Sequence, residues 1–202
     1  MKVPWRSKKK FNLKEGVWKA YSAAAEKPAG KHPFPVGLAF ARSVGYPEST
    51  LAEMPASSTE SFAGVSNVSI FADIPVGVRV LDLGCGAGLD SLIAARRTGP
   101  SGHVIGIDFS DAMLKRAQEA ADELGVQNSE FKKANVGELP LQDSSIDVAL
   151  VNGIFNLNRD RGPIFSELAR VMKADGTAFV AELILRETLA EEETRDESNW
   201  FA

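Results

Sequence analysis

Residues 80–90 read VLDLGCGAGLD, an apolar run that passes directly into three alternating glycines. The run predicts a buried strand over residues 79–83, and the apolar spacing after the glycines predicts a helix over residues 89–97. Glycines at alternate positions let the backbone turn sharply and approach a ligand closely. The helix that follows has unpaired N–H groups at its N-terminus. The stretch therefore predicts a strand, a turn and a helix that cradle a ligand.

The same alternation of apolar runs and amphipathic segments continues along the chain. Further strands are predicted at residues 103–107, 129–133, 147–151 and 177–185, and further helices at residues 111–124 and 163–172. This order is typical of an α/β fold with a parallel sheet, and right-handed crossovers place helices on both faces. We therefore predict a Rossmann-like, doubly wound and mainly parallel sheet.

The first 75 residues have a different pattern, in which prolines separate short helical segments at residues 14–25 and 36–44. The chain also begins with a basic run and ends with an acidic one. We predict three parts: an N-terminal helical and loop cap at residues 1–75, a ligand-binding core at residues 76–186, and an acidic tail at residues 187–202.

Composition limits the classes of function. A chain of 202 residues with 44% hydrophobic residues can form one domain with a buried core and an appendage. A net charge of −4 argues against a nucleic-acid partner. The single cysteine, Cys85, excludes a disulfide framework and a multi-thiolate zinc site, so we expect no metal. Without a signal peptide or a membrane-spanning run, we expect a soluble, cytoplasmic protein.

The second predicted strand ends in Asp108, about twenty residues beyond the glycines. A carboxylate at that position can accept hydrogen bonds from both hydroxyls of a ribose, which indicates a nucleoside ligand. A dinucleotide fingerprint requires a third glycine one place after Gly88, where Leu89 stands. The pattern therefore favours S-adenosylmethionine, and Asp82 beside the glycines can interact with the ammonium of its methionine moiety.

Five segments together resemble the successive motifs of class I S-adenosylmethionine-dependent methyltransferases: residues 80–88, 104–110, 138–140, 145–148 and 168–176. Within that superfamily the sequence resembles the arsenite methyltransferase-like and quinone C-methylase branch, including residues 45–47 and 61–67. The resemblance covers most of the chain from about residue 21. It implies S-adenosylmethionine as the cofactor and methyl transfer as the activity.

The resemblance also implies roles for individual residues. The glycines would form the turn beneath the methionine portion, Asp108 would bind the ribose, and Asn152 would contact the methionine end through its backbone or side chain. Asn135 stands where relatives commonly carry an aspartate that meets the adenine amino group. Phe109 and Met113 would flank the adenine face, and Met113 is equally compatible with packing in the core. The complete set of expected cofactor-binding residues is Asp82, Gly84, Cys85, Gly86, Gly88, Asp108, Phe109, Met113, Asn135, Val136 and Asn152.

The expected substrate is a small organic molecule in an apolar pocket. The cofactor carries its reactive methyl group on a positive sulfur, so the protein's share is mostly positioning and exclusion of water. We therefore assign no catalytic base. His103 opens the second strand at the end opposite the ligand, and His32 in the cap could reach a substrate, although exposed loop histidines are more common. Candidate substrate-contacting residues, each also compatible with packing of the cap, are Tyr21, Phe34, Phe62, Phe155 and Leu157.

The cysteine content of the sequence shows whether arsenite can be a substrate. Arsenic(III) is soft and is held by several thiolates in the arsenite methyltransferases. Where those enzymes carry cysteine, this sequence has Val65 and Gly153. With Cys85 as the only thiol, a three-thiolate arsenic site cannot be built, so we expect that arsenite is not a substrate.

The end of the chain departs from the pattern of the resembled superfamily, whose sheet usually ends with a helix and two further strands. Here an acidic stretch follows the fifth predicted strand, and the terminal strand pair is absent from the pattern. We expect an unpaired sheet edge, covered by a second copy of the chain in a homodimer or by the acidic tail. Two other functions stay open: a non-catalytic binding module of the same fold, and an NAD-dependent oxidoreductase.

Overall fold

A computed structural model describes residues 12–184 of the protein, so the basic start and the predicted acidic tail at residues 187–202 lie outside the described residues. The described residues form one sheet of five strands in the order β3-β2-β1-β4-β5, and all neighbouring strands are parallel. The strands are β1 (Arg79–Leu83), β2 (His103–Asp108), β3 (Ser129–Lys133), β4 (Ile146–Asn152) and β5 (Met172–Ala181). The predicted fold class is confirmed.

Helices cover both faces of the sheet. Five lie before the first strand: α1 (Leu13–Glu26), α2 (Leu38–Ser43), α3 (Glu48–Ala52), α4 (Ala56–Thr59) and α5 (Val68–Phe71). Three connect the strands: α6 (Leu89–Thr98), α7 (Asp111–Leu124) and α8 (Gly162–Val171), with a short 3₁₀ helix, Phe155–Leu157, before α8. Within residues 12–184, no helix is both long and apolar enough to span a bilayer.

Local sequence explains where the helices around the sheet edge begin and end. The Ser110 hydroxyl accepts a hydrogen bond from the Met113 N–H at 3.4 Å and caps the N-terminus of α7. Gly125, in the left-handed conformation, ends the same helix. Asn12 caps α1 by accepting from the N–H of Glu15. These caps fix the helices that flank the carboxyl end of β2.

The core lies on both sides of β1, the central strand. On one face, Leu81 packs with residues of β2 and β4 and with Ile164 of α8. On the other face, Val80 packs with Ala94 of α6 and with Val68 of α5. The cap helices pack on the outer side of α6 and α7. The carboxyl edge of the sheet therefore lies beneath the cap, although the division into cap and core stays a prediction.

The fifth strand differs from its prediction. It begins at Met172 and ends at Ala181, and its pairing with β4 has an irregularity between Ile146 and Val148. The polar residues 173–176 gave no strand pattern, although their backbone continues the sheet. Residues 182–184 leave the sheet, and predicted strand residue Leu185 lies outside the described part.

Among the described residues, β5 is an edge strand with no partner on its outer side. Ile184, just beyond it, is 84% exposed, and Val180 within it is 44% exposed. The sheet edge is thus apolar and open within residues 12–184. Its coverage by a second copy of the chain or by the acidic tail stays a prediction.

The central strand should carry the stability of the sheet. Replacing the fully buried Leu81 by alanine should lower the free energy of unfolding by about 2–5 kcal/mol, because a cavity forms between β1 and α8. Urea denaturation measures this loss. Val76→Ala, at a position that is 76% exposed, should change it by less than about 0.5 kcal/mol. Equal effects of the two substitutions would contradict the assigned core.

Candidate functional site

The glycine turn is joined to the end of β2 by backbone hydrogen bonds. Gly84 and Gly86 have φ values of 79° and 52°, in the left-handed region that favours glycine. The N–H groups of Gly84 and Cys85 donate to the Ile107 carbonyl at 2.8 and 2.9 Å. The turn after β1 is therefore fixed against β2 at the carboxyl edge of the sheet.

Gly86 faces open space, whereas Gly84 is tightly packed. The nearest side-chain atom to a Cβ atom placed on Gly86 would be Met113 Sδ, at 4.0 Å. A Cβ atom on Gly84 would overlap the Ile154 side chain. Gly84 thus permits close packing behind the turn, and Gly86 leaves a concave surface that a ligand can fill.

Asp108 joins this turn through its side chain. One carboxylate oxygen accepts from the Gly86 N–H at 3.0 Å, and the other accepts from the Ser110 N–H at 2.8 Å. Burial raises the pKa of Asp108 to about 6, although these backbone hydrogen bonds act in the opposite direction. A carboxylate has about four acceptor positions, so acceptor capacity remains for the hydroxyls of a ribose. The hydrogen bond between Gly86 and Asp108 confirms the prediction that the glycine turn and this carboxylate lie at the same edge of the sheet.

Asp82 lies behind the turn and is only 2% exposed. Its carboxylate accepts a hydrogen bond from the Ser91 hydroxyl at 2.5 Å. Burial and the nearby charge of Asp90 raise the pKa of Asp82 to about 8. A cationic ligand group nearby would favour its ionised form, as expected for contact with an ammonium.

Asp90 is a functional candidate that the sequence analysis missed. It is 6% exposed, and one of its oxygens accepts from the Tyr46 hydroxyl at 2.5 Å and from the N–H and hydroxyl of Ser69. Its other oxygen accepts from Asn152 Nδ2 at 2.9 Å. The only sequence signal was a carboxylate in the first turn of the helix after the glycines. Asp90 therefore ties two parts of the cap to the carboxyl end of β4.

Two adjoining cavities lie at this edge. The inner cavity is about 70 Å³ and is lined by the glycine turn and the three aspartates, with Tyr21 and Phe62 above them. The outer cavity is about 630 Å³ and lies between α1 and the ends of β2 and β3. Both are lined by Gly84, Phe109, Ile154 and Leu157. Ligand pockets typically have volumes of about 300–1,000 Å³, so the outer cavity has the required size and the inner one is a small extension beside it.

Most of the predicted cofactor-binding residues come together here. Asn135 and Val136 line the outer cavity, and Gly84 and Phe109 line both. Gly88 lines neither: it begins α6, and a Cβ atom there would lie 2.9 Å from Ala117 Cβ, so it serves helix packing instead. The predicted residues that line the inner cavity are Asp82, Gly84, Cys85, Gly86, Asp108, Phe109, Met113 and Asn152.

The predicted substrate-contacting aromatics divide into two groups. Tyr21 and Phe62 line the inner cavity. Phe34 lines neither cavity and stacks behind Tyr21, with ring centroids 4.5 Å apart. Phe155 is buried in the sheet core and stacks on Phe165 at 4.6 Å, so the structure places it in packing and not in a substrate pocket.

The two titratable groups of the inner cavity that are not carboxyls, Tyr21 and Cys85, are poorly suited to accept protons. Burial, Asp108 and Glu182 raise the pKa of the Tyr21 phenol well above its usual range, and burial raises that of the Cys85 thiol. Both groups therefore stay protonated at neutral pH. His103 lies at the amino end of β2 beside Glu130, and His32 bonds to the Lys27 carbonyl in the cap. Across residues 12–184, no cluster of three or more potential metal-ligating side chains occurs.

The profile of the methyltransferase domain family matches residues 74–201, which is more than half of the chain. The chain belongs to this family. An arsenite methyltransferase of Halobacterium salinarum is 36% identical over 121 residues, which are 60% of this chain and 31% of that protein. A demethylmenaquinone methyltransferase of Listeria monocytogenes is 39% identical over 101 residues, 50% of this chain and 42% of that protein. This chain thus spans less than half the length of these methyltransferases.

Solved structures agree with the family assignment. The arsenic(III) S-adenosylmethionine methyltransferase CrArsM of Chlamydomonas reinhardtii matches with a TM-score of 0.62 and 27% identity, over 83% of this chain and 57% of that one. A S-adenosylmethionine-dependent methyltransferase of Aquifex aeolicus matches with a TM-score of 0.52 and 26% identity, over 59% of this chain and 65% of that one. The resemblance found in the sequence is confirmed.

The buried Asp82 carboxyl should make stability depend on pH. Its pKa rises from 3.8 to about 8 on folding, so the folded state favours the protonated form. The resulting stability is present below about pH 4 and is lost as the pH rises towards 8. The free energy of unfolding in urea should fall by a few kcal/mol between about pH 5 and pH 8.

Asp82→Asn is the matched variant, because an amide oxygen can still accept from the Ser91 hydroxyl. It should remove most of this decline and leave only the smaller part that Asp108 contributes at lower pH. A slope as steep as in the unsubstituted protein would show that Asp82 is not the responsible group.

Proposed function

We propose that this chain is an S-adenosylmethionine-dependent methyltransferase that acts on a small organic molecule. The observation that carries the proposal is the hydrogen bond from the Gly86 N–H to the Asp108 carboxylate, beside the concave surface above Gly86. This arrangement can hold the ribose and the adjoining chain of an adenosine ligand at one edge of the sheet. The family assignment supports the same cofactor.

The residues present fit such a cofactor. Asp108 would accept from the ribose hydroxyls, and the outer cavity beside Asn135 and Val136 would hold the adenine. The turn at Gly84 and Gly86 would lie beneath the methionine portion, with Asp82 available to its ammonium. When bound, the cofactor supplies an electrophilic methyl group on a positively charged sulfur.

The chain's own contribution is positioning and exclusion of water. Tyr21 and Phe62 cover the inner cavity, which has no lysine, arginine or histidine in its described lining. Because the Tyr21 phenol and the Cys85 thiol stay protonated, neither acts as a general base at neutral pH. Asp82 and Asp108 are assigned to the cofactor, and both oxygens of Asp90 accept hydrogen bonds from neighbouring residues. The site therefore suits an acceptor that is already nucleophilic or that loses its proton to solvent.

The residues around the inner cavity favour an organic methyl acceptor over arsenite. Val65 faces Gly153, and a Cβ atom on Gly153 would lie 3.0 Å from Val65 Cγ1. Cys85 is the only thiol in the chain and is buried in its protonated form. Thus no set of thiolates can hold arsenic(III), while the apolar lining suits a flat organic molecule.

The purified protein should not methylate arsenite. With labelled S-adenosylmethionine and excess arsenite in the presence of a reducing thiol, methylarsenic should stay at the level of a protein-free blank. The same assay with a small-molecule extract should yield a labelled organic product. Sustained formation of methylarsenic would contradict the proposed substrate class.

A non-catalytic binding module is the second candidate, favoured by the small volume of the inner cavity. It predicts cofactor binding without any labelled product from the extract. The proposed homodimer is a separate expectation, and nothing in the site requires it. Membership of the methyltransferase domain family argues against the alternative of an NAD-dependent oxidoreductase.

Asp108→Asn should weaken binding of S-adenosylhomocysteine by about 1.5–3 kcal/mol, because a charged acceptor for the ribose hydroxyls is lost. Isothermal titration calorimetry measures the change, and thermal unfolding checks that the turn at Gly86 is still folded. Asp73→Asn, at an exposed position before β1, is the matched control and should bind like the unsubstituted protein. Unchanged affinity in a folded Asp108→Asn variant would refute the assigned ribose contact.

A further inference from the structure

The Asn152 side chain is fully occupied by contacts within the protein. Its Oδ1 atom accepts from the N–H groups of Val65 and Ser66, at 2.8 and 3.1 Å. Its Nδ2 atom donates to the Ser66 carbonyl at 2.7 Å and to Asp90 at 2.9 Å. A carboxamide has two acceptor positions and two donor hydrogens, so these four bonds use its whole capacity.

The cap segment at residues 64–66 is fitted closely around this side chain. A Cβ atom on Gly64 would lie 2.6 Å from Asn152 Nδ2 and 2.9 Å from Phe62 Cζ, so only glycine allows the approach. On the other side, Asp90 holds Asn152 and is itself held by Tyr46 and Ser69. The end of β4 thus connects to three separate parts of the cap.

These contacts decide the shape of the inner cavity. Gly64 and Phe62 line it from the cap, and Asn152 and Gly153 line it from β4. Val65 lies against Gly153, so the clamped segment borders the cavity through Gly64 and packs against the end of β4 through Val65. If the segment moved away, the inner cavity would open to water on this side.

We propose that Asn152 is a positioning residue: it clamps cap residues 64–66 onto the end of β4, and the clamped segment forms the water-excluding wall of the acceptor pocket. The inference rests on the proposed function for the meaning of that pocket. It differs from the expected role of Asn152, because the side chain acts on the cap and not on the cofactor. Loss of the side chain should therefore leave the contacts at Gly86 and Asp108 in place.

Two variants test the clamp from opposite sides. Asn152→Ala removes the four hydrogen bonds of the side chain. Gly64→Ala introduces a methyl group that would lie only 2.6 Å from Asn152 Nδ2. Asn128→Ala is the matched control, because Asn128 also bonds two backbone carbonyls, those of Ala95 and Gly99, far from the site. Each variant is measured by amide hydrogen exchange, by calorimetry with S-adenosylhomocysteine, and by labelled methyl transfer into a small-molecule extract.

Both clamp variants should lower the exchange protection of the Val65 and Ser66 amides roughly tenfold or more, while Asn128→Ala changes it less than about twofold. Affinity for S-adenosylhomocysteine should stay within about threefold, and methyl transfer at saturating cofactor should fall at least about tenfold. This divergence between binding and turnover separates a positioning role from a general loss of structure.

Unchanged protection of the Val65 and Ser66 amides in Asn152→Ala would overturn the clamp. Loss of S-adenosylhomocysteine binding in that variant, without loss of folding, would also overturn it, because Asn152 would then act on the cofactor. If the unsubstituted protein bound no S-adenosylhomocysteine, the proposed function would fail instead. The exchange measurements would still decide whether the clamp exists.

Discussion

The end of β2 holds the turn that follows β1 through three hydrogen bonds, and the rest of the site depends on them. The Ile107 carbonyl accepts from two successive N–H groups of the turn, and the Asp108 carboxylate accepts from the third. The turn can make these bonds because Gly84 and Gly86 adopt positive φ values. Both strands run parallel, so their carboxyl ends meet at one edge, and the cap closes over that edge.

This edge brings three carboxyl groups together in a buried region. Asp82, Asp90 and Asp108 are each at most 6% exposed, and the described lining of the inner cavity offers no basic side chain to neutralise them. Burial raises the pKa of Asp82 and Asp108, which costs stability in the folded protein at neutral pH. Groups with strongly shifted pKa values cluster at functional sites, and a cationic ligand would relieve this cost. The same carboxylates thus connect the stability of the protein with its proposed cofactor.

The sequence predicted the parts whose signals are local. The bounds of β1, β3 and α7 agree with their predictions. β1 is an almost continuous apolar run, and α7 has a helical apolar period, a capping serine and a terminal glycine. The start of β5 was missed because residues 173–176 have no apolar alternation and lie at the irregularity in its pairing with β4. The turn and its partner Asp108 were predicted correctly, since their spacing reports the positions of two adjacent strands.

Long-range contacts account for what sequence patterns could not predict. Asp90 was missed because its partners, Tyr46 and Ser69, are far from it along the chain. Phe155 faces the core because the short helix after β4 turns it towards Phe165, a direction that no periodicity records. The hydrogen bonds between Asn152 and cap residues 64–66 could not be predicted for the same reason, because they depend on how that segment packs over the sheet.

A crystal structure of the protein grown with S-adenosylhomocysteine tests the central claim most directly. The account predicts density for the ligand above Gly86, with both ribose hydroxyls within hydrogen-bonding distance of the Asp108 carboxylate. Density for the ligand elsewhere on the protein, or a ribose that makes no contact with Asp108, would contradict it.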